Sequence, residues 1–287
     1  MAEISSRRSG TCRTGAELLH SAAQMTPQRL GQHFLKGEAW RARILRSLAP
    51  QADQVWLEIG AGHGEMTREL ARATRRVIAI ELDAPLVHAL ERLAEEQPNI
   101  EVHSGDILTL DLEKLGLRRG AGGERVHVYG SLPYYITSPI LRRLFEHASA
   151  IESIYVVIQF EVAERLAAKP GRREYGFLSV LAQFHAQPEI VFRIPPGAFR
   201  PRPKVASALV RLAIRRQRME VGDEEKFIAF VGKCFEQKRK TLLNNLKPIS
   251  GADQAAEAIR AAGLKPGVRA EKLSVEEFVK LFLELVH

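Results

Sequence analysis

The stretch VWLEIGAGHGEMTRELARATRRVIAIELD, Val55 to Asp83, decides the fold. Val55–Ile59 is a short apolar run and reads as a strand. Gly60, Gly62 and Gly64 form the loop that follows, and Glu65–Ala73 has helical character. Val77–Ile80 is a second strand that ends at Glu81-Leu82-Asp83. Glycines at a strand-to-helix turn let a ligand approach the backbone closely. A dinucleotide loop of the form G-x-G-x-x-G needs glycine at 65, where this chain has Glu65. The observed spacing, E-x-G-x-G-x-G from Glu58 to Gly64, instead suits S-adenosylmethionine, which has no pyrophosphate to set on the helix N-terminus.

The same alternation continues outward. Ala39–Leu48 has apolar residues at helical spacing and is closed by Pro50. Ala84–Glu96 reads as a helix with Pro85 near its start, where a missing N–H does no harm. Ile100–His103 is a third strand, ending at Gly105-Asp106, and Val126–Tyr129 is a fourth. Strands alternating with helices indicate a parallel sheet covered on both faces. Ser138–His147 reads as a helix and Ile154–Gln159 as a strand. Ile190–Ile194 and Ala206–Ile214 read as a hairpin joined by the proline-rich loop 195–203. After Arg218 only amphipathic helices are visible: Glu224–Phe235, Arg239–Leu246, Ala252–Ala262 and Val275–Val286. The chain therefore divides into a basic tail (1–29), an α/β domain (30–217) and a helical C-terminal domain (218–287).

The 287 residues carry a formal net charge of +8, which favours polyanionic partners. The cations cluster in the second half, at Arg172-Arg173, Arg200–Lys204, Arg211–Arg218 and Lys238–Lys240. Two cysteines, Cys12 and Cys234, are too few for a disulfide framework and fit a reducing cytoplasm. No apolar run approaches membrane-spanning length. No metal-ligand cluster is visible, so no metal is expected.

Candidate site residues fall at successive strand ends. Glu81 can accept from both hydroxyls of a ribose, and Asp106 can accept from an adenine amine. Gly31-Gln32-His33-Phe34-Leu35 is a polar-aromatic segment ahead of the sheet. VHVYGSLPYYI, Val126–Ile136, runs a strand into Ser131-Leu132-Pro133-Tyr134. That tetrapeptide is one letter from the Asn-(Leu/Pro/Ile)-Pro-Tyr loop of enzymes that methylate the exocyclic amine of adenine. The amine is a poor nucleophile because its lone pair is delocalised into the ring. A site must accept hydrogen bonds from its N–H groups to tilt that lone pair toward a methyl donor. A side-chain oxygen at Ser131 and the carbonyl of Leu132 or Pro133 can do this, with Tyr134 stacked on the base. Phe199 can pack on the same base, and Arg200, Arg202 and Lys204 around it can hold phosphates. Lys238, Arg239 and Lys240 precede an apolar helical face and can present charge to RNA.

Taken in order, GQHFL, LEIGAGHGEMT, VIAIELD, SGDIL, SLPYYITSPIL, GAFRPRPKVASALVRL and FEQKRKTLLNNL resemble the ribosomal RNA adenine N6-dimethyltransferases, which modify two adjacent adenines near the 3′ end of small-subunit RNA. The resemblance covers about 30–287. It implies a seven-stranded Rossmann-like methyltransferase sheet with a small all-α C-terminal domain. S-adenosyl-L-methionine would be the cofactor, and a small-subunit precursor with its RNA the partner, met in the cytoplasm by a monomer. It also implies that Gln32, His33 and Leu35 contact the cofactor and that Gly60 and Gly62 pass under its methionine part. Glu81 with Leu82 would hold the ribose, and Asp106 with Ile107 the adenine. Ser131–Tyr134 would form the target-base pocket, with Ser131 also near the cofactor. One departure stands out: the family ordinarily has asparagine where this chain has Ser131, a shorter arm that bears on rate and on the second methylation. Two other readings remain open, a non-catalytic assembly factor with the same fold and a large-subunit RNA methyltransferase.

Overall fold

The computed structural model describes residues 33–118, 124–217 and 219–286. The N-terminal tail, Gln32 and Arg218 lie outside the described residues. Two short strands frame the pocket described below: β1 (Phe34–Leu35) and, much later in the chain, β8 (Phe199–Arg200). The other strands are β2 (Val55–Ile59), β3 (Arg76–Glu81), β4 (Ile100–Ser104), β5 (Val126–Ser131), β6 (Ile151–Gln159), β7 (Ala186–Ile194) and β9 (Ser207–Ile214). These seven form one sheet in the order β4-β3-β2-β5-β6-β9-β7. The first five are parallel, and β9 runs antiparallel to both β6 and β7. All five residues of β2 are buried, as are five of the six in β3. Such continuous apolar runs are what a sheet covered on both faces demands.

Helices α1 (Glu38–Leu48), α2 (Glu65–Ala73), α3 (Ala84–Glu96) and α4 (Thr137–Phe145) follow the sequence reading to within two residues at each end. The sequence reading places nothing between 160 and 189. The structure has α5 (Phe160–Ala167) and α6 (Phe177–His185) there. α6 reads FLSVLAQFH and is buried nearly all round, so it has no polar stripe to give a helical period. The loop 195–203 is not a plain hairpin connection. Its β8 pairs antiparallel with β1, matching Phe34 with Arg200 and Leu35 with Phe199.

Four further helices follow the sheet: α7 (Glu224–Cys234), α8 (Leu242–Ser250), α9 (Ala252–Ala261) and α10 (Val275–Val286). The helix expected from Arg239 starts later, because Thr241 is its N-cap and its side chain accepts from the Asn244 N–H. Lys238, Arg239 and Lys240 thus lie in the exposed turn before α8, not on its face. Strand structure ends at Ile214, close to the boundary placed near 217. The hydrophobic core does not end there. The rings of Phe184 on α6, Phe227 on α7 and Phe282 on α10 pack in series, tilted and then edge to face, with centroids 4.7 and 5.5 Å apart. The Tyr175 hydroxyl donates to the Leu273 carbonyl at 2.7 Å.

Candidate active site

In an open parallel sheet a crevice forms at the carboxyl ends of the strands where their order reverses. Here β3 and β4 lie to one side of β2, and β5 and β6 to the other. The principal cavity opens at that point, over the ends of β2, β3 and β5. Its lining brings together His33, Leu35, Gly60, Gly62, Glu81, Leu82, Asp106, Ile107, the whole turn Ser131–Tyr134, and Phe199. Arg200, Arg202 and Lys204 do not line it; they are exposed on the segment beside it. Lys238, Arg239 and Lys240 do not line it either, and Lys238 rests beside Gly176.

The glycine loop is held by backbone bonds. Gly60, Gly62 and Gly64 have φ of 69°, 59° and 77°, a region that side-chain-bearing residues avoid. The N–H groups of Gly60 and Ala61 donate to the Ile80 carbonyl at 2.9 and 3.2 Å. Gly62 N–H donates to Glu81 Oε2 at 2.8 Å. The other oxygen, Oε1, accepts from the N–H groups of Leu82 and Asp83 at 2.8 and 3.0 Å. A carboxylate has about four lone-pair sites, and three are taken. The one left, on Oε2, can accept from a ribose hydroxyl. Asp106 Oδ1 accepts from the Leu108 N–H at 2.9 Å, an Asx turn. Its second oxygen has no partner among the described residues and can accept from a ligand.

The turn after β5 lies against the glycine loop. A Cβ on Gly60 would stand 3.8 Å from the Ser131 carbonyl oxygen. At Gly130 a Cβ would meet the Ile59 carbonyl at 3.1 Å and a Leu132 methyl at 2.9 Å, so glycine is what lets β5 and β2 end side by side. The Pro133 carbonyl, one of two acceptors considered from sequence, accepts from the Ile136 N–H and from Thr137 Oγ1, each at 3.2 Å. It is therefore occupied. The Leu132 carbonyl and the Ser131 hydroxyl have no partner among the described residues. Tyr134 is tied down through its hydroxyl, 2.7 Å from Ser207 Oγ on β9, and burial raises its pKa. His33 stacks on its ring at 5.4 Å and donates from Nδ1 to the Pro201 carbonyl at 2.8 Å. His33 thus ties the start of the described chain to the Ser131–Tyr134 turn and to the 199–201 segment.

Sequence reasoning gave no site role to six polar residues of the lining: Arg41, Glu58, His63, Glu65, Tyr129 and Tyr135. Glu58 is 3% exposed and its Oε2 has no partner. Burial, with a smaller contribution from the nearby Glu81 charge, pushes its pKa up to about 8. Its place at the head of the glycine motif was the available signal.

The donors and acceptors fit an S-adenosyl nucleoside: one carboxylate site at the end of β3, one at the end of β4, and a loop whose missing side chains admit a ligand. A Cβ on Gly62 would press on the Phe34 ring at 3.3 Å.

A family model described as "Ribosomal RNA adenine dimethylase" matches residues 24–287. The curated protein "Ribosomal RNA small subunit methyltransferase A" of Koribacter versatilis is 41% identical over 266 residues, spanning 90% of this chain and 93% of the relative. Its namesake from Acidobacterium capsulatum is 43% identical, spanning 90% of each. Among solved structures, the 23S rRNA methyltransferase ErmE superposes with a TM-score of 0.67 at 29% identity, spanning 88% of this chain and all of the other. A dimethyladenosine transferase from Plasmodium falciparum superposes at 0.73 and 22% identity, over 88% of this chain and 98% of the other, which supports the fold.

Proposed function

The chain belongs to the ribosomal RNA adenine dimethylase family, and from that premise we propose that it dimethylates N6 of two adjacent adenines near the 3′ end of small-subunit ribosomal RNA. S-adenosylmethionine supplies an electrophilic methyl group on its sulfonium. The observation that carries the reading is the pair of free acceptors, Ser131 Oγ and the Leu132 carbonyl, in the same cavity as the glycine loop. An adenine drawn out of the RNA stacks on Tyr134, whose ring is fixed by Ser207 and backed by His33. Its amine donates one N–H to Leu132 and the other to Ser131, which directs the lone pair at the cofactor. Phe199, 2% exposed at the cavity wall, supports the base from the side. Catalysis is then mostly positioning. The amine becomes acidic only after it is methylated, so its proton can pass to water.

The second N–H is lost at the first methylation, so the monomethylated base needs only one acceptor. The rigid Leu132 carbonyl supplies it, and Ser131 can rotate its hydroxyl away. Arg200, Arg202 and Lys204 beside the cavity, with Lys238–Lys240 on the helical part, are assigned to phosphates of the RNA. The partner is the precursor of the small subunit, met by a monomer in the cytoplasm. Among the described residues no helix is long and apolar enough to cross a membrane. Curated relatives at about 40% identity carry the small-subunit name, whereas the large-subunit enzyme is 29% identical, which favours the small-subunit target.

The test is mass spectrometry of both ribosomal RNAs after unmethylated subunits are incubated with the protein and S-adenosylmethionine. Two dimethyladenines near the 3′ end of the small-subunit RNA are expected. Methylation confined to large-subunit RNA, or cofactor and subunit binding without incorporation, would overturn the assignment.

A further inference from the structure

The amino-acid end of S-adenosylmethionine carries one carboxylate and one ammonium, and no charged side chain has yet been assigned to either. Among the described residues Arg41 is the one lysine or arginine in the cavity lining. It stands on α1, and its Nη1 meets Oε1 of Glu65, the residue that follows the glycine loop, at 3.3 Å. That bond is long and uses one of five guanidinium donors. The pair is loosely held, with side chains 24% and 50% exposed. Solvent-accessible ion pairs of this kind contribute little to stability, so parting Arg41 from Glu65 costs little. The first turn of α2 adds a second attraction for an anion. The N–H groups of Glu65 and Met66 have no acceptor among the described residues, and the helix dipole places partial positive charge there.

We propose that Arg41 is the carboxylate clamp of the cofactor site, gripping the methionine carboxylate in a bidentate pair while Glu65 is released to the ammonium. This rests on the reading of the cavity as an S-adenosylmethionine site, and it assigns a cofactor contact outside the glycine loop and the strand ends. Charge-assisted fork pairs between arginine and carboxylate are stronger than a single neutral bond and fix direction as well. Anchoring the tail of the cofactor sets how far its sulfonium reaches toward Ser131 and Leu132. The competing view is that Arg41–Glu65 is only a tie between α1 and α2.

Two ligands separate these views: S-adenosylmethionine, and its decarboxylated analogue, which keeps the ammonium, sulfonium and nucleoside. Calorimetry on the full chain measures both affinities. Arg41→Ala should weaken S-adenosylmethionine about 10- to 100-fold and change the analogue less than about threefold. Arg41→Lys keeps the charge and loses the fork, and should fall between wild type and Arg41→Ala for S-adenosylmethionine alone. Glu65→Ala breaks the tie but spares the clamp, so S-adenosylmethionine should still bind better than the analogue. Equal losses for the two ligands in Arg41→Ala, or no loss for either, would overturn the clamp while leaving the cofactor site standing. A wild-type chain that binds neither ligand would overturn both.

Discussion

Glu58 makes stability depend on pH in a direction opposite to that of most carboxylates. The carboxyl is buried at the end of β2 with a partnerless Oε2, and its pKa is pushed from 4.5 to about 8. Between those values the folded chain keeps a proton that the unfolded chain has released. The unfolded state then binds fewer protons, so stability falls as pH rises. The contribution is complete below about pH 4.5 and is lost by about pH 8. At about 1.36 kcal/mol per pH unit, the interval corresponds to about 5 kcal/mol, a large share of the ~5–15 kcal/mol of a typical domain. Glu58→Gln keeps the shape and removes the titration. Urea unfolding of both proteins at intervals from pH 4.5 to 8.5 isolates this group, because every other titration is shared. The wild type should lose several kcal/mol relative to the variant across that range. Parallel curves would show that Glu58 does not hold its proton in the folded state.

Glu81→Ala should weaken S-adenosylmethionine about 10-fold or more, because it removes a ligand acceptor and also strands the buried Gly62 N–H; RNA affinity, measured without cofactor, should change far less. Replacing Lys238, Arg239 and Lys240 with glutamine should flatten the log–log salt dependence of RNA binding by up to about 3. An unchanged slope in filter binding would remove that turn from the RNA surface. Gly130→Ala should cost about 1–3 kcal/mol in denaturant unfolding and depress methyl transfer, since its Cβ would meet the Ile59 carbonyl at 3.1 Å. Wild-type values for both would show that the turn tolerates a shift.

Much of the sheet could be read because its strands are buried on both faces and its turns are punctuated by glycine. β2, α2, α3 and α10 match their sequence-derived limits. Where polar residues interrupt the start of a strand the reading starts late, as at Glu152-Ser153 between Ile151 and Ile154. α6 went unseen because its polar residues mark no solvent face: Ser179 and His185 are buried and Gln183 is half-buried. The strand-end residues Glu81 and Asp106 were legible, as local features tied to one motif each. The Arg41–Glu65 contact was not, since it joins two helices 24 residues apart. Nor could sequence choose between the carbonyls of Leu132 and Pro133. That choice depends on how the first turn of α4 folds back, which occupies Pro133.

The phenylalanine series from α6 through α7 to α10 has a consequence for how this chain can be taken apart. A protein truncated near 217 would strip solvent cover from Phe184 and the helix that carries it. The truncated sheet should then aggregate rather than persist as a smaller enzyme. The terminal helices are accordingly not a cartridge to be exchanged between relatives with different RNA targets. A chimera would have to carry its own version of α6 along with them.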